Sequence, residues 1–564
     1  MWSTRSKALI WLTLIWVVAR IYPALMGWSS LAADGEVLAA KKLLEYGFQR
    51  LQGAQLLPLV LHGTVAHPEH YLFSHGPYPI LWFYTALYHY LGFAGVCVVL
   101  YLLKYTALVL CFLVLDRCFS RSSAFWASVL YALAPLSILF DGDSNAPILS
   151  AIFWPIGVAL IVLRFHRKAR PGLGDVLLAG ATTFLAGQTC YFAFTIVPSL
   201  ALINSRITSL RLRAIRTVAA DPVSLAFLAG GVLSLLVWLG QVALYEGGLS
   251  PLVNYSLNKA GASVGALQRL YVTGLVPLRI SFFVGLALTF ASLLGCLCLA
   301  KGTVLDGKKP VMGAVVYFLG FGAMVLAAPS AFVQENMYYA YLIFPGAVMA
   351  AMLFDKVGHQ LRNLILILGA LSLVLALLYA SVPLAGSPMS RYMGKVFAAH
   401  SKKTDLIFTN LKPFSPPYKA SDIGAGDSTR VYADRFITFG VLERGQLCVA
   451  KDLVDKSTGF QYWRMRSRPI GPDLEAELAL RGSLVKTIAV TFPDRRETPL
   501  ERLRSFVWHS VMKKGKRLER DSGPSSDSVD IYEIEIAPEN LVETFSPTWV
   551  PPSRTNLVQD PPAK

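Results

Sequence analysis

The chain has 564 residues, 54% of them hydrophobic and 15% charged, with a mean hydropathy of +0.50. A soluble protein carries about 25% charged residues, so a purely aqueous globule is excluded. The formal charge of +17 falls largely on short segments between apolar runs, where it reports topology and leaves little for nucleic acid.

Apolar runs lie at 8–26, 94–116, 123–140, 145–163, 173–203, 223–245, 276–300, 311–328, 337–354 and 361–382. Most approach the roughly 20 residues that cross a bilayer. The first is basic at its start but too long for a signal-peptide core, so it reads as a retained span. Arg5 and Lys7, Arg117 and Arg121, Arg164 to Arg170, Arg206 to Arg216, Lys301 to Lys309, and Lys356 and Arg362 mark the cytoplasmic ends. The run 173–203 is basic on both sides, which predicts two short helices meeting outside around Gly187-Gln188-Thr189-Cys190-Tyr191. The total is then about eleven spans. The loops 27–93, 141–144, 246–275 and 329–336, with everything after 383, share the outer side.

The polar candidates gather on that side. Asp34 and Glu36 follow the first span and open an amphipathic helix, with Val37, Ala40, Leu43 and Leu44 on one face and Lys41, Lys42 and Glu45 off it. Gly47 is its C-terminal stop. His75, in an aromatic stretch that leads into a second interfacial helix ending near Leu91-Gly92, is a binding or a structural histidine. Lys104 stands inside the second run, where a charge faces the bundle interior as a phosphate ligand or snorkels to the surface. Asp141-Gly-Asp143 joins two spans, as helix caps or as a pair holding a substrate hydroxyl or a cation. Arg279, at the outer end of its span, is a second phosphate ligand or an interfacial anchor. Glu335, Tyr338, Tyr339 and Tyr341 suit a sugar or an aromatic belt. Residues 246–275 read as a mobile loop. The seven cysteines show neither disulfide nor zinc spacing.

After Pro383 the composition changes. Residues 395–540 read as a small extracytoplasmic α/β domain with strands near 405–410, 430–438, 485–492 and 529–536 and helices at 473–482 and 499–514. The stretches 413–427 and 546–564 read as irregular, the latter a Pro-rich tail.

This pattern resembles the GT-C integral-membrane glycosyltransferases, most of all the branch of lipid A aminoarabinose transferase and the protein O-mannosyltransferases. The likeness rests on Asp34 and Glu36 before a helix ending Tyr46-Gly47, and on Pro77, Pro79 and Leu91-Gly92 around a second helix. It rests also on Asp141/Asp143 before the fourth span, the split fifth region, the aromatic turn near Tyr338 and the C-terminal domain. Three positions depart from the family. Gly35 separates its adjacent acids, Gln188-Thr189 replaces a frequent lysine, and Gln334-Glu335-Asn336 replaces a frequent histidine. The resemblance implies a mainly α, polytopic bundle over residues 1–385, with two juxtamembrane helices in 27–93. It implies an inverting, single-displacement transfer from a polyprenyl-phosphate sugar to a lipid, glycan or protein acceptor outside the cytoplasm, in a bacterial inner membrane.

In that scheme Asp34 takes the acceptor proton and Glu36 supports it. Asp141 and Asp143 position hydroxyls, and Lys104 and Arg279 stabilise the leaving phosphate. His75, Gln188, Glu335 and Tyr338 complete the substrate contacts. No metal is required, although Asp141 and Asp143 could hold a divalent cation. The rival reading is a transporter or flippase, against which stand the one-sided acids and the lack of an internal repeat.

Overall fold

The computed structural model describes residues 4–25, 33–52, 54–56, 72–73, 78–140, 149–165, 171–190, 194–204, 221–246, 249, 253, 266–300, 309–327, 332, 336–380, 388–409, 436–439, 449–450, 454, 456–466, 470–491, 526–536 and 541–542. The chain divides into two units. One comprises Met1–Ala33 and Ser74–Val382, the other Asp34–Phe73 and Pro383–Lys564.

The first unit is helical: α1 (Thr4–Leu25), α3 (Tyr78–Cys118), α4 (Arg121–Ala132), α5 (Pro135–Phe140), α6 (Phe153–Ala159, continued as a π-helical turn over Leu160–Phe165), α7 (Leu173–Thr189), α8 (Ile196–Asn204), α9 (Pro222–Glu246), α10 (Ala266–Phe283), α11 (Leu286–Ala300), α12 (Lys309–Ala327), a 3₁₀ turn (Asn336–Leu342), α13 (Ile343–Lys356) and α14 (His359–Ala380). Among the described residues, five segments are long and apolar enough to cross a membrane: Thr4–Pro23, Ala94–Cys118, Pro222–Leu244, Met337–Lys356 and His359–Leu378. Leu102, Leu236 and Ile367 are more than half exposed on three of them, as lipid-facing side chains are. The segment Met337–Lys356 differs, because 94% of its apolar window is buried. It is the inner strut of the unit.

Local chemistry explains the breaks. Gly92 interrupts α3 with φ +64°, which separates the interfacial helix from the span at the expected Leu91-Gly92 stop. The split fifth region is also present, since α7 ends at Thr189 and α8 starts at Ile196. Gly230 brings α9 so near α7 that a Cβ there would stand 2.1 Å from the Gly180 carbonyl oxygen. Thr183 Oγ1 donates to the Phe227 carbonyl across the same contact at 2.7 Å, a small-residue seam suited to a bundle in lipid.

The run expected as one span at 276–300 is instead two helices. The segments Gly274–Phe283 and Leu286–Leu299 meet at 119°. Gly285 permits the turn at φ +100° and sits against Pro135 and Ser372, while Leu286 N–H donates to Ser372 Oγ at 2.8 Å. Both sides of the corner are apolar, so the sequence reads through it as a single run. Part of the expected loop 246–275 is the first turns of α10.

The second unit contains α2 (Ala33–Tyr46), a two-stranded ribbon β1 (Gln55–Leu56) and β2 (Leu72–Phe73), α15 (Pro388–His400) and α16 (Pro472–Arg481). It also holds strands β3 (Leu406–Thr409), β4 (Phe436–Phe439), β5 (Val449–Ala450), β6 (Phe460–Met465), β7 (Gly482–Thr491), β8 (Ser526–Ile534) and β9 (Leu541–Val542). Five strands form a mixed sheet in the order β4-β3-β6-β8-β7, with β3 parallel to β4 and β6, and β8 antiparallel to β6 and β7. Its core joins Phe397 of α15 to Ile407, Trp463, Met465, Val490, Val529 and Ile531. Strand β6, absent from the expectations, is the centre of the sheet. The expected helix 499–514, the loop 413–427 and the tail 546–564 lie outside the described residues.

Candidate functional site

In the first unit the candidates meet at the 3₁₀ turn. Lys104, in α3, is 6% exposed although it lies within a membrane span. It lines a small open cleft of about 20 Å³ with Tyr131, Ser137, Ile152, Ala340 and Phe344, among others. The cleft exists because α4 ends at Leu133 and Pro135 begins a new helix, while the 3₁₀ turn leads into α13 opposite. Tyr131 and Phe344 meet edge to face at 6.2 Å. A charge at this depth is costly in lipid and faces the interior of the bundle.

Arg279, in α10, is 2% exposed. Its guanidinium hydrogen-bonds Tyr339, whose own hydroxyl donates to the Phe332 carbonyl at 2.6 Å. The Phe283 ring stacks on Tyr339 with centroids 6.0 Å apart. The corner at Gly285 therefore fixes where Arg279 emerges. Tyr338 is buried against Phe332, centroids 5.5 Å apart. Lys104 thus shares its cleft with Ala340 of the seven-residue turn, and Arg279 bonds Tyr339 of the same turn.

Gln188 occupies the last turn of α7 and is 1% exposed. Its amide nitrogen donates to Ser234 O at 2.8 Å and to Ser234 Oγ at 2.9 Å. Its carbonyl oxygen makes no hydrogen bond to the described residues.

In the second unit, Asp34 and Glu36 occupy the first turn of α2. The helix stops as expected at Gly47, φ +87°. Its buried face differs from the amphipathic reading. Lys42 is fully buried, whereas Leu44 is 40% exposed. Lys42 is accommodated because its Nζ donates to Glu45 Oε2 at 2.8 Å. Glu45 Oε1 accepts from Lys403 at 3.1 Å and lies 3.6 Å from Lys41. Burial alone would raise the Glu45 pKa, but the bond and charge of Lys42, with Lys403 and Lys41, hold it below its usual range.

His75, Asp141, Asp143 and Glu335 lie outside the described residues. Among the described residues no group of three His, Cys, Asp or Glu side chains is placed to hold a metal ion. Two buried cations were missed by the sequence reading. Arg20 of α1 is 5% exposed, lies 4.6 Å over Trp16 and donates to the Trp16 carbonyl at 3.0 Å and the Ala132 carbonyl at 3.2 Å. A lone arginine inside an apolar run was signal enough to mark it. Lys42 gave no such signal.

No protein-family model matches the sequence, and no curated protein does. Solved structures do resemble it in fold. ArnT from Cupriavidus metallidurans bound to undecaprenyl phosphate superposes with a TM-score of 0.55 at 11% identity, over 95% of this chain and 99% of that one. The Archaeoglobus fulgidus oligosaccharyltransferase in complex with Zn and sulfate gives 0.50 at 13% identity, over 93% of this chain and 88% of that one. Its apo form gives 0.46 at 15% identity over 78% of this chain, and there the chain spans 65% of the archaeal enzyme's length. Both enzymes are GT-C glycosyltransferases, so the expected GT-C resemblance holds at the level of the fold.

Proposed function

We propose that this chain, a membrane protein with the fold of the GT-C glycosyltransferases, moves a sugar from a polyprenyl-phosphate donor to an acceptor outside the cytoplasm. The observation that supports it most is the pair of buried cations, Lys104 and Arg279, at one turn beside the most buried span. A donor of this class is a phosphodiester with one negative charge, and its leaving group is a monoester with two. Cations fixed in advance where the second charge develops favour the transition state over the bound donor. Undecaprenyl phosphate in the ArnT structure is a ligand of the same chemical kind.

The step is a single displacement. An acceptor hydroxyl oxygen bonds to the anomeric carbon, the bond from that carbon to the phosphate oxygen breaks, and the configuration inverts. Asp34 takes the hydroxyl proton, and Glu36 supports it. Lys104 and Arg279 take up the phosphate charge. Asp141, Asp143, His75, Glu335, Gln188 and Tyr338 contact sugar or acceptor. We assign about eleven spans, an outer-facing site, an extracytoplasmic C-terminal domain and residence in a bacterial inner membrane.

The test uses purified full-length protein in liposomes with a labelled polyprenyl-phosphate sugar and candidate lipid acceptors. Transfer of label, stoichiometric release of polyprenyl phosphate and an inverted anomeric centre support the reading. Movement of labelled lipid between leaflets without cleavage of the sugar–phosphate bond refutes it and points to a flippase.

A further inference from the structure

We infer that Lys403, through Glu45, is a positioning residue that clamps the helix bearing Asp34 and Glu36 to the C-terminal domain. The inference rests on the role proposed for Asp34, but the clamp itself is geometric.

Three observations build it. First, Glu45 divides its carboxylate among three lysines: Oε2 faces Lys42 of the same helix at 2.8 Å, and Oε1 faces Lys403 at 3.1 Å and Lys41 at 3.6 Å. Because Lys42 is fully buried, its charge fixes the Glu45 rotamer, which leaves Oε1 aimed outward. Second, Lys403 is held on a rigid mount in the turn between α15 and β3. Lys402 N–H donates to Asp405 Oδ2 at 2.6 Å, and Thr404 Oγ1 donates to the Ser457 carbonyl at 3.1 Å. Gln461 Nε2 also donates to Asp405 Oδ2 at 3.2 Å, while Trp463 Nε1 donates to Gln461 Oε1 at 2.9 Å. Trp463 is fully buried and packs on Phe397 at 4.4 Å. A run of hydrogen bonds therefore ties the core of the sheet to the turn 402–405 that carries Lys403. Third, α2 is a continuous helix from Ala33 to Tyr46, so its two ends move together.

The consequence follows from leverage. Asp34 precedes Glu45 by 11 residues, about 16 Å along the axis at 1.5 Å per residue. A tilt of about 5° at Glu45 therefore shifts the first turn by more than about 1 Å, a displacement able to slow a reaction about 100-fold. A half-exposed ion pair adds little to stability, and so its effect is expected on geometry. The C-terminal domain is then a brace for the proton acceptor as well as any surface for the acceptor substrate.

The experiment compares wild type, Lys403→Met and Lys403→Arg as full-length protein in liposomes. Sugar-transfer kinetics and hydrogen exchange of the α2 amides are read on the same samples. Lys403→Met leaves Lys42 and Glu45 paired, so the fold is retained. We expect its kcat to fall about 10- to 100-fold with donor KM within twofold, faster exchange over 33–46, and recovery of both in Lys403→Arg. Unchanged exchange in Lys403→Met overturns the clamp. Faster exchange with unchanged kcat overturns the positioning role. If wild type transfers no sugar, the functional reading fails, while exchange still decides the clamp.

Discussion

The molecule buries two lysines in different ways. Lys42, in the second unit, is sealed against a carboxylate of its own helix at 2.8 Å. Lys104, in the membrane unit, lines a cleft whose other described walls are aliphatic, aromatic and hydroxyl groups. The first charge is compensated in place and serves the shape of a helix. The second stands at a small opening of the bundle, where the proposed contact with the donor phosphate would form. Burial alone does not make a cation functional; what it faces does.

That contrast can be broken from either side. The largest expected effect is at the cleft. Lys104→Met should lower kcat by 10²-fold or more, the range for losing one fixed transition-state donor, while thermal unfolding in detergent stays near wild type. A variant that unfolds but transfers sugar normally would mean that Lys104 is structural, like Lys42. The opposite signature is expected from Glu45→Gln, which leaves the buried Lys42 ammonium facing a neutral amide. It should cost about 1–3 kcal/mol, read as a lower unfolding midpoint of the C-terminal unit.

The smallest effect is a pH dependence of the same pair. The folded-state pKa of Glu45 lies below its ordinary value of 4.5. A depressed carboxylate contributes stability that is present above the unfolded pKa and lost as pH falls through the folded one. Hydrogen exchange over α2 should therefore be flat from pH 7 to 5, after correction for intrinsic rates, and should rise below about 4.5. In Glu45→Gln that acid-dependent rise should disappear.

What the sequence revealed and what it concealed follow from the range of the interactions involved. The stops at Gly47 and at Leu91-Gly92 were legible because each depends on one glycine with positive φ, 87° and 64°. The break between α7 and α8 was legible because basic segments on both sides leave a single run no consistent topology. The corner at Gly285 was concealed, since its cause is packing against Pro135 and Ser372, which lie far away in the chain. Strand β6 was missed because Gln461 and Arg464 interrupt its apolar pattern, although Gln461 is spent on Asp405 and Trp463 inside the domain. Lys42 looked like an exposed residue of an amphipathic helix. The lysine that completes its environment, Lys403, is 358 positions from Glu45. Of the proposed site, Lys104 was legible from its depth alone, whereas the aromatic setting of Arg279 required the bent helix pair.

The central claim is that an acid at the start of α2 accepts a proton during transfer from a lipid-linked sugar. The most direct measurement is single-turnover transfer by wild type and Asp34→Asn at equal protein and saturating labelled donor. Loss of a general base predicts a fall of about 10²- to 10⁴-fold with donor binding retained. Equal single-turnover rates in the two proteins would contradict the account.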